Sequence, residues 1–598
     1  MHVFIYKLAI SFGTPQALVK REGVNVSRPI TIDYDGRSYT FDEKDIKGRE
    51  CKHVLYNEAG DGSMHDCLLV KEVIHLNDGT RIPNVFVMED YKRPFAITRP
   101  GFRNHKDKKE FEDLDKVQWF KSTQIELARN ISKALGTGMG MLPLRKVLDS
   151  PYVYACDTTP AVLIKHIFEQ KSPDCVSPNT VAALDIETEV NDINHMGEIT
   201  LISLTFGDRK LTCGTSRVYG NIPDVENKFY QMVEDYVGEY TKDTKVEFQV
   251  HSSPVKCIQA IMERAHRWRP DFISIWNMNF DLPVIIETIE KAGWDVGEMF
   301  TDPCVPRRYR HARYRPGKAI KITASGKQMA LHPAEQWHTM QCLSSFYFID
   351  SMCVYKRIRV GGNEPKYSLD FILDKVLGIR KLRFSQADHL KGLAWHQYMQ
   401  SRYPVEYAVY NLFDCISLEE LDKKTNDLAQ TISLLTSHSE YARFPSTPRR
   451  LSDDFEFFAQ SHGRVFGTTG DQMIDELDQY VLGMNDWIVT LPSHLVVDNG
   501  IHCLLGMPDR ATLIRTHVAD LDVEGAYPTT EDVMNISKET TYRELSRIEG
   551  IPESIQRANS INLTGGETNC VQFCQEIYGL PSPSELLALF DEDHDKVA

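Results

Sequence analysis

VAALDIETEV, residues Val181–Val190, places Asp185 and Glu187 two positions apart at the end of a small, apolar run. Side chains on a strand alternate faces, so the two carboxylates leave the same side of it. Like charges aimed at one place repel. A divalent cation between them relieves that repulsion, and an ordinary solvated strand end is the other reading of the pair. From about Thr180 onward, strands alternate with helices, as in EITLISLTFG, FISIWNMNFD and PVIIETIEKAG. That pattern predicts an α/β domain built on the strand that carries the two acids.

The sequence before it reads differently. The first hundred residues are β-rich, with turn signals at Asp35-Gly36 and Asp78-Gly79 between apolar runs such as KEVIHL and IPNVFVM. STQIELARNISKALG then predicts a helix capped at Ser122 or Thr123 and stopped at Gly136. The following GTGMG lacks the glycine spacing and the Lys-Ser/Thr of a phosphate loop, so it reads as a helix-end loop.

At 598 residues the chain has room for about three to five domains. With 42% hydrophobic and 25% charged residues it can form ordinary globular cores. Its net charge of −16 excludes a basic coat over the whole surface but not local basic grooves for phosphate. The opening MHVFIYKLAISFG is interrupted by Lys7 and reads as a strand, not a signal peptide. No apolar stretch approaches the length of a membrane span. The thirteen cysteines form no paired C-x-x-C knuckles. Reduced thiols in a cytoplasmic compartment follow as the expectation.

Two further segments give the opening acids company. SIWNMNFDLPVII ends a buried strand in Asn277, Asn279 and Asp281, where Asp281 reads either as a helix cap or as a ligand. In the helical YAVYNLFDCISLEELDKK, Tyr410 and Asp414 stand four apart on one face. Between these, PRRYRHARYRPGKAIKITASGK interleaves Arg307, Arg308, Arg310, Arg313 and Arg315 with Tyr309 and Tyr314. Guanidinium groups beside aromatic planes suit a nucleic-acid backbone and unstacked bases; a solvated loop is the alternative.

Taken in order, the three acidic segments resemble the three motifs of DnaQ-like 3′→5′ proofreading nucleases. The Tyr-x-x-x-Asp form of the third is that of family B DNA polymerases. ITRPGFRNHKDKKEFEDLDKVQ, DSPYVYACD and KYSLDFILDKVLG resemble N-terminal and exonuclease segments of the replicative polymerases of tailed bacteriophages, and DLDVEGAYPTTEDVMNISKETT resembles their polymerase motif A. The resemblance implies a multidomain α/β chain: a β-rich N-terminal domain over 1–178 with a returning segment at about 428–482, a ribonuclease-H-like exonuclease domain over 179–427, and a partial polymerase palm over 483–598.

It further implies two divalent cations, Mg²⁺ or Mn²⁺. Asp185 would bridge them, Glu187 and Asp414 would hold the first, and Asp281 would serve the second. Tyr410 would orient the attacking water, and Asn277 or Asn279 would position the DNA end. In motif A the resemblance assigns Asp522 to a polymerase metal. Val523, Gly525, Ala526 and Tyr527 would line the triphosphate and sugar, with Gly525 and Ala526 where the family usually has Ser-Leu.

The pattern then breaks. A fingers motif Lys-x-x-x-Asn-Ser-x-Tyr-Gly is absent: Tyr578-Gly579 is present, but Val571 and Gln575 occupy the Lys and Asn positions. The Asp591 and Asp593 of FDEDHD lie in an acidic tail without the apolar strands of a palm hairpin. Without a second catalytic aspartate, two-metal nucleotidyl transfer has no complete site. The expectation is therefore the N-terminal portion of a family B polymerase, acting as a 3′→5′ exonuclease. Its expected partners are single-stranded DNA and primer-template, a deoxynucleoside triphosphate in the assembled enzyme, and a second polypeptide supplying fingers, Asp-Thr-Asp hairpin and thumb. A sliding clamp would be reached through that second chain, and the setting would be the host-cell cytoplasm. AIKITASGKQMALH would be an exonuclease hairpin used in strand separation. The alternative function is a DNA-binding or structural subunit with little nuclease activity of its own.

Overall fold

A computed structural model describes residues 29–106, 108–137, 143–322, 328–359, 362 and 364–469, together with five short strands between 495 and 569. The chain divides into two compact units, Met1–Leu482 and Gly483–Ala598.

At the centre of the first unit is a mixed six-stranded sheet. Its spatial order is Lys245–His251, Arg209–Thr215, Ile199–Phe206, Val181–Thr188, Phe272–Ile275 and Tyr347–Asp350. Val181–Thr188 pairs antiparallel with Ile199–Phe206 and parallel with Phe272–Ile275, which in turn runs parallel to Tyr347–Asp350. The α/β expectation for this region therefore holds at the level of a mixed sheet with helices on both faces.

The period-two alternation of the opening stretch decides which residue meets which layer. Ala182, Leu184 and Ile186 pack with Ile258, Ile261 and Ala265 of the Pro254–Trp268 helix and with Leu282, Ile285 and Ile289 of the Met278–Lys291 helix. Ala183 faces the other way, onto Cys415 and Leu418 of the Pro404–Thr425 helix. Asp185 and Glu187 share that second face by strand geometry.

The Pro404–Thr425 helix is buried nearly all round from Val405 to Leu418, which a one-sided surface helix would not be. It begins with Pro404 at its first position and ends at Asn426 in the left-handed region (φ 55°). Proline suits a helix start because its missing N–H would have no partner there anyway.

Three long antiparallel strands, Ile46–Glu58, Asp66–Leu76 and Arg81–Glu89, make the N-terminal sheet. Asp35-Gly36 closes the hairpin of Ile30–Tyr34 with Arg37–Phe41, both residues at positive φ (50° and 75°), as a two-residue turn of this kind requires. Lys71 fastens this sheet to the central one. Its ammonium is fully buried and donates to the carbonyls of Arg269 (2.7 Å), Pro270 (3.0 Å) and Ser345 (2.8 Å), with Asp271 at 3.3 Å. Burial alone would raise the Asp271 carboxyl, but Lys71, Lys52 and the Thr180 amide together hold it below the usual carboxylate range. The chain after 427 folds back: Arg464–Phe466 pairs antiparallel with Phe111–Asp113, and the Asn179 amide donates to the Ala429 carbonyl at 2.7 Å.

The predicted helix over Ser122–Gly136 starts later than its sequence pattern suggests. It spans Leu127–Leu135. The preceding residues, through Ser122, complete a strand paired with Arg93–Thr98, and a sheet partner overrides local helical spacing. Thr123 still satisfies a donor, accepting from the Glu126 amide at 3.3 Å, and Gly136 ends the helix at φ 78°. In the second unit, Leu495–Asp498, Ile501–Leu504 and Met507–Ala511 form a three-stranded antiparallel meander, and Ser560–Asn562 pairs with Glu567–Asn569. Among the described residues, no helix is long and apolar enough to cross a membrane.

Candidate active site: a buried carboxylate cluster

The sheet and the Pro404–Thr425 helix bring together acids that are distant in sequence. Ligand oxygens of Asp185, Glu187 and Asp414 all lie within 4.8 Å of one another. Asp281 lies outside that 4.8 Å trio but interacts with it through Asp185. It sits in the first turn of the Met278–Lys291 helix, 5% exposed, where the backbone amide of Ile186, between the two strand acids, favours its charged form against burial.

Asp281 does not cap its helix. Asn277 stands at the N-cap without a side-chain bond, and the Met278 amide is satisfied by Asp350 Oδ2 at 3.0 Å. Asp350 also caps the Ser351–Ile358 helix through the Cys353 amide (2.8 Å). Freed from a capping role, Asp281 is the strongest like-charge neighbour of Asp185.

Four acids packed this closely cannot all ionise cheaply. Burial first, then Asp281, Asp414 and Glu187, push the Asp185 carboxyl well above its ordinary value. Burial raises Asp281 to about 8 and Glu187 to about 7, in the latter case against the lowering pull of the Tyr407 hydroxyl. Burial also raises Asp414, although Lys381 opposes it.

The long helix presents a polar stripe to this cluster: Tyr407, Tyr410, Asn411 and Asp414, at i, i+3, i+4 and i+7. Asn411 Nδ2 donates to Asp185 Oδ2 at 2.8 Å, while its Oδ1 accepts from Ser203 Oγ at 2.5 Å, which fixes the amide orientation. The Tyr407 hydroxyl donates to Glu187 Oε2, and His396 Nδ1 lies 2.8 Å from the same hydroxyl. Burial, then Lys381, lower the His396 pKa.

Lys381 brings a cation into the cluster. Its Nζ donates to Asp414 Oδ2 at 2.6 Å and to the Tyr410 hydroxyl at 3.1 Å. Burial would lower its pKa, but Asp414, Tyr410 and Asp185 together raise it well above the ordinary value. It follows the Leu369–Leu377 helix, which Gly378 ends at φ 70°.

A divalent cation fits these donors. All are hard carboxylate oxygens, the class Mg²⁺ and Mn²⁺ prefer. Asp414 Oδ1 is buried without any hydrogen-bond partner, a lone pair that a cation would satisfy. Asp185 and Glu187 are only partly buried, so the cluster opens to solvent on one side.

The remaining expected residues divide. Asn277 and Asn279 are both exposed at the helix start, and Asn279 Oδ1 accepts from the Tyr314 hydroxyl at 3.1 Å. Arg307, Arg313 and Arg315 are exposed. Arg308 and Arg310 are engaged within the fold: Arg308 pairs with Glu89, and Arg310 binds Glu298 (2.8 Å) and the carbonyls of Val305 (2.7 Å) and Pro303 (2.9 Å). Those two guanidiniums hold the loop in place, Arg310 half-buried and Arg308 still exposed.

Ile320–Ile322 pairs antiparallel with Gln328–Ala330, both strands exposed, within the segment expected as an exonuclease hairpin. Asp522, Val523, Gly525, Ala526, Tyr527, Asp591 and Asp593 lie outside the described residues.

Sequence reasoning missed Lys381, Tyr407 and Asn411. The stripe at i, i+3, i+4 and i+7 was a usable signal for the last two. Lys381, alone in a basic loop, gave none. No family model matches this chain, and a search of curated proteins also finds no match.

Proposed function

We propose that the first unit is a two-metal 3′→5′ exonuclease acting on DNA, with a ribonuclease-H-like core of the DnaQ type. The chain as a whole is then the N-terminal portion of a phage-type family B DNA polymerase. The observation that carries the reading is the convergence of Asp185, Glu187 and Asp414 from a central strand and a distant buried helix, with Asp281 beside Asp185. The strand order supports it as well: an antiparallel trio joined through its first strand to two parallel strands.

When bound, a pair of divalent cations supplies an activated water and stabilises charge on the phosphate during in-line displacement. The protein's own contribution is positional. Asp185, fixed by Asn411, would sit between the ions; Glu187, fixed by Tyr407, and Asp414 would hold one of them, and Asp281 would serve the other. Lys381 offers a fixed positive charge to a phosphate oxygen or to the Tyr410 hydroxyl. Tyr410, held against Trp395 with ring centroids 4.9 Å apart, keeps its hydroxyl in the cluster. Arg307, Arg313 and Arg315 would steer the strand, and either Asn277 or Asn279 its 3′ end.

Polymerase activity belongs to an assembly with a second chain carrying the fingers, the Asp-Thr-Asp hairpin and the thumb. The direct test is release of mononucleotides from 3′-labelled single-stranded DNA in Mg²⁺ or Mn²⁺. The wild-type chain should shorten the strand stepwise from its 3′ end, and Asp185→Asn should not. Equal release by both proteins, or none by either, removes the reading.

A further inference from the structure

A second cluster lies far from the carboxylates in sequence and differs from them chemically. The Pro160–Lys171 helix carries His166 and Glu169 three residues apart, hence on one face. Against that face comes His438, from the returning part of the chain. His166 Nδ1 lies 3.4 Å from His438 Nε2, and Glu169 Oε2 contacts the same Nε2. Ligand atoms of the three residues lie within 4.8 Å of one another, the spacing that allows them to share an ion.

The other nitrogen of His438 is also accounted for. Its Nδ1 lies 2.8 Å from Asp454 Oδ1, on the Thr447–Ser461 helix. A carboxylate that takes the N–H of one imidazole nitrogen leaves the other nitrogen's lone pair for an ion, and this is the usual support of a metal-binding histidine. With Asp454 taking Nδ1–H, His438 Nε2 and Glu169 Oε2 would both be free to ligate one cation.

The rings are held in place as well. His166 stacks on Phe457 with centroids 3.6 Å apart and planes 9° apart. The His438 segment is tied to the same helix by Lys165 Nζ donating to the Ser439 carbonyl at 2.7 Å and Thr159 Oγ1 donating to Glu440 at 2.5 Å. The Glu169 side chain is 61% exposed, which leaves a path for an ion and room for a water ligand.

We propose that His166, Glu169 and His438, with Asp454 behind His438, form a site for a Zn²⁺-class transition-metal ion that braces the returning segment against the N-terminal helix. Two imidazoles, one carboxylate and a water make a familiar Zn²⁺ donor set, whereas Mg²⁺ prefers oxygen alone. The site joins stretches 272 residues apart, so its ion stabilises the folded chain by closing a long loop. It is independent of the nuclease reading.

The test is Co²⁺ titration of the full chain, stripped with chelator and held in excess Mg²⁺ to occupy the all-carboxylate cluster. Visible absorption and bound-metal content are read, with circular dichroism as the control for folding. One equivalent of Co²⁺ should bind, show a ligand-field band and be displaced by Zn²⁺, which should also raise the melting temperature. His166→Gln and His438→Gln should lose the band. Asp454→Asn should weaken binding about 10–100-fold. If a histidine variant fails to fold, the solvent-facing Glu169→Gln carries the test and should weaken binding while leaving the circular dichroism unchanged. No Co²⁺ uptake by the folded wild type would overturn the proposal. Uptake unaltered in folded His166→Gln or Glu169→Gln would overturn it too.

Discussion

Replacing Glu187 by Gln should make the metal-free protein more stable at alkaline pH, because the carboxylate cluster is held together against its own charge. Burial raises Glu187 from 4.5 to about 7, with the Tyr407 hydroxyl pulling it down and Asp414 pushing it up. The folded state thus keeps a proton that the unfolded chain has already released, and stability falls as pH rises from about 4.5 to about 7. At about 1.4 kcal/mol per pH unit, that gap corresponds to roughly 3 kcal/mol of lost stability above pH 7. Gln is neutral and of the same shape, and its carbonyl still accepts from Tyr407. The raised value already includes the Tyr407 hydrogen bond to the charged form. The net expectation is a gain of about 3 kcal/mol near pH 8 in chelator, vanishing near pH 4 where wild-type Glu187 is largely protonated in both states. Urea unfolding followed by tryptophan fluorescence at the two pH values measures it. A variant no more stable than wild type near pH 8, or one with the same difference at both pH values, refutes the reasoning.

Other consequences follow from the same geometry. Removing the Lys381 ammonium (Lys381→Met) strands the buried Asp414 carboxylate and should cost about 3 kcal/mol in chelator, with Mn²⁺ restoring much of the loss in the same unfolding assay. Metal affinity should rise from pH 6 to pH 8, since Glu187 (about 7) and Asp281 (about 8) must release protons to act as ligands. Calorimetry in buffers of different ionisation enthalpy should register that release. Lys71→Met leaves Asp271 buried without its nearest cation and should destabilise the first unit by about 3–5 kcal/mol, seen as a lower urea midpoint. Arg310→Ala should loosen the 303–310 loop and weaken stability, while Arg313→Ala and Arg315→Ala should leave stability unchanged and weaken single-stranded DNA binding in a salt-dependent way.

How much of this could be read from sequence depended on the range of the interaction. The alternation in VAALDIETEV sorts Ala182, Leu184 and Ile186 from Asp185 and Glu187 because strand geometry is local and strictly periodic. Asp414 was legible for the same reason, through helical spacing from Tyr410. Asp281 was ambiguous between cap and ligand, and only the distant Asp350, which satisfies the Met278 amide, resolves it. Lys381 reaches Asp414 from a loop whose path no periodicity encodes. The start of the Leu127–Leu135 helix shifted because strand pairing, a non-local bond set, claimed Ser122. The arginine-rich segment reads alike whether its guanidiniums face solvent or carboxylates. Glu89 and Glu298, far apart in the chain, engage Arg308 and Arg310 closely and Arg307 more loosely (3.8 Å), which sets them apart from Arg313 and Arg315.

The most direct measurement is a crystal structure grown with Mn²⁺ and a mononucleotide, with anomalous scattering collected near the manganese edge. Two anomalous peaks bounded by the carboxylates of Asp185, Glu187, Asp281 and Asp414, with the nucleotide phosphate against them, are predicted. An intact fold whose four carboxylates hold no manganese would contradict the account.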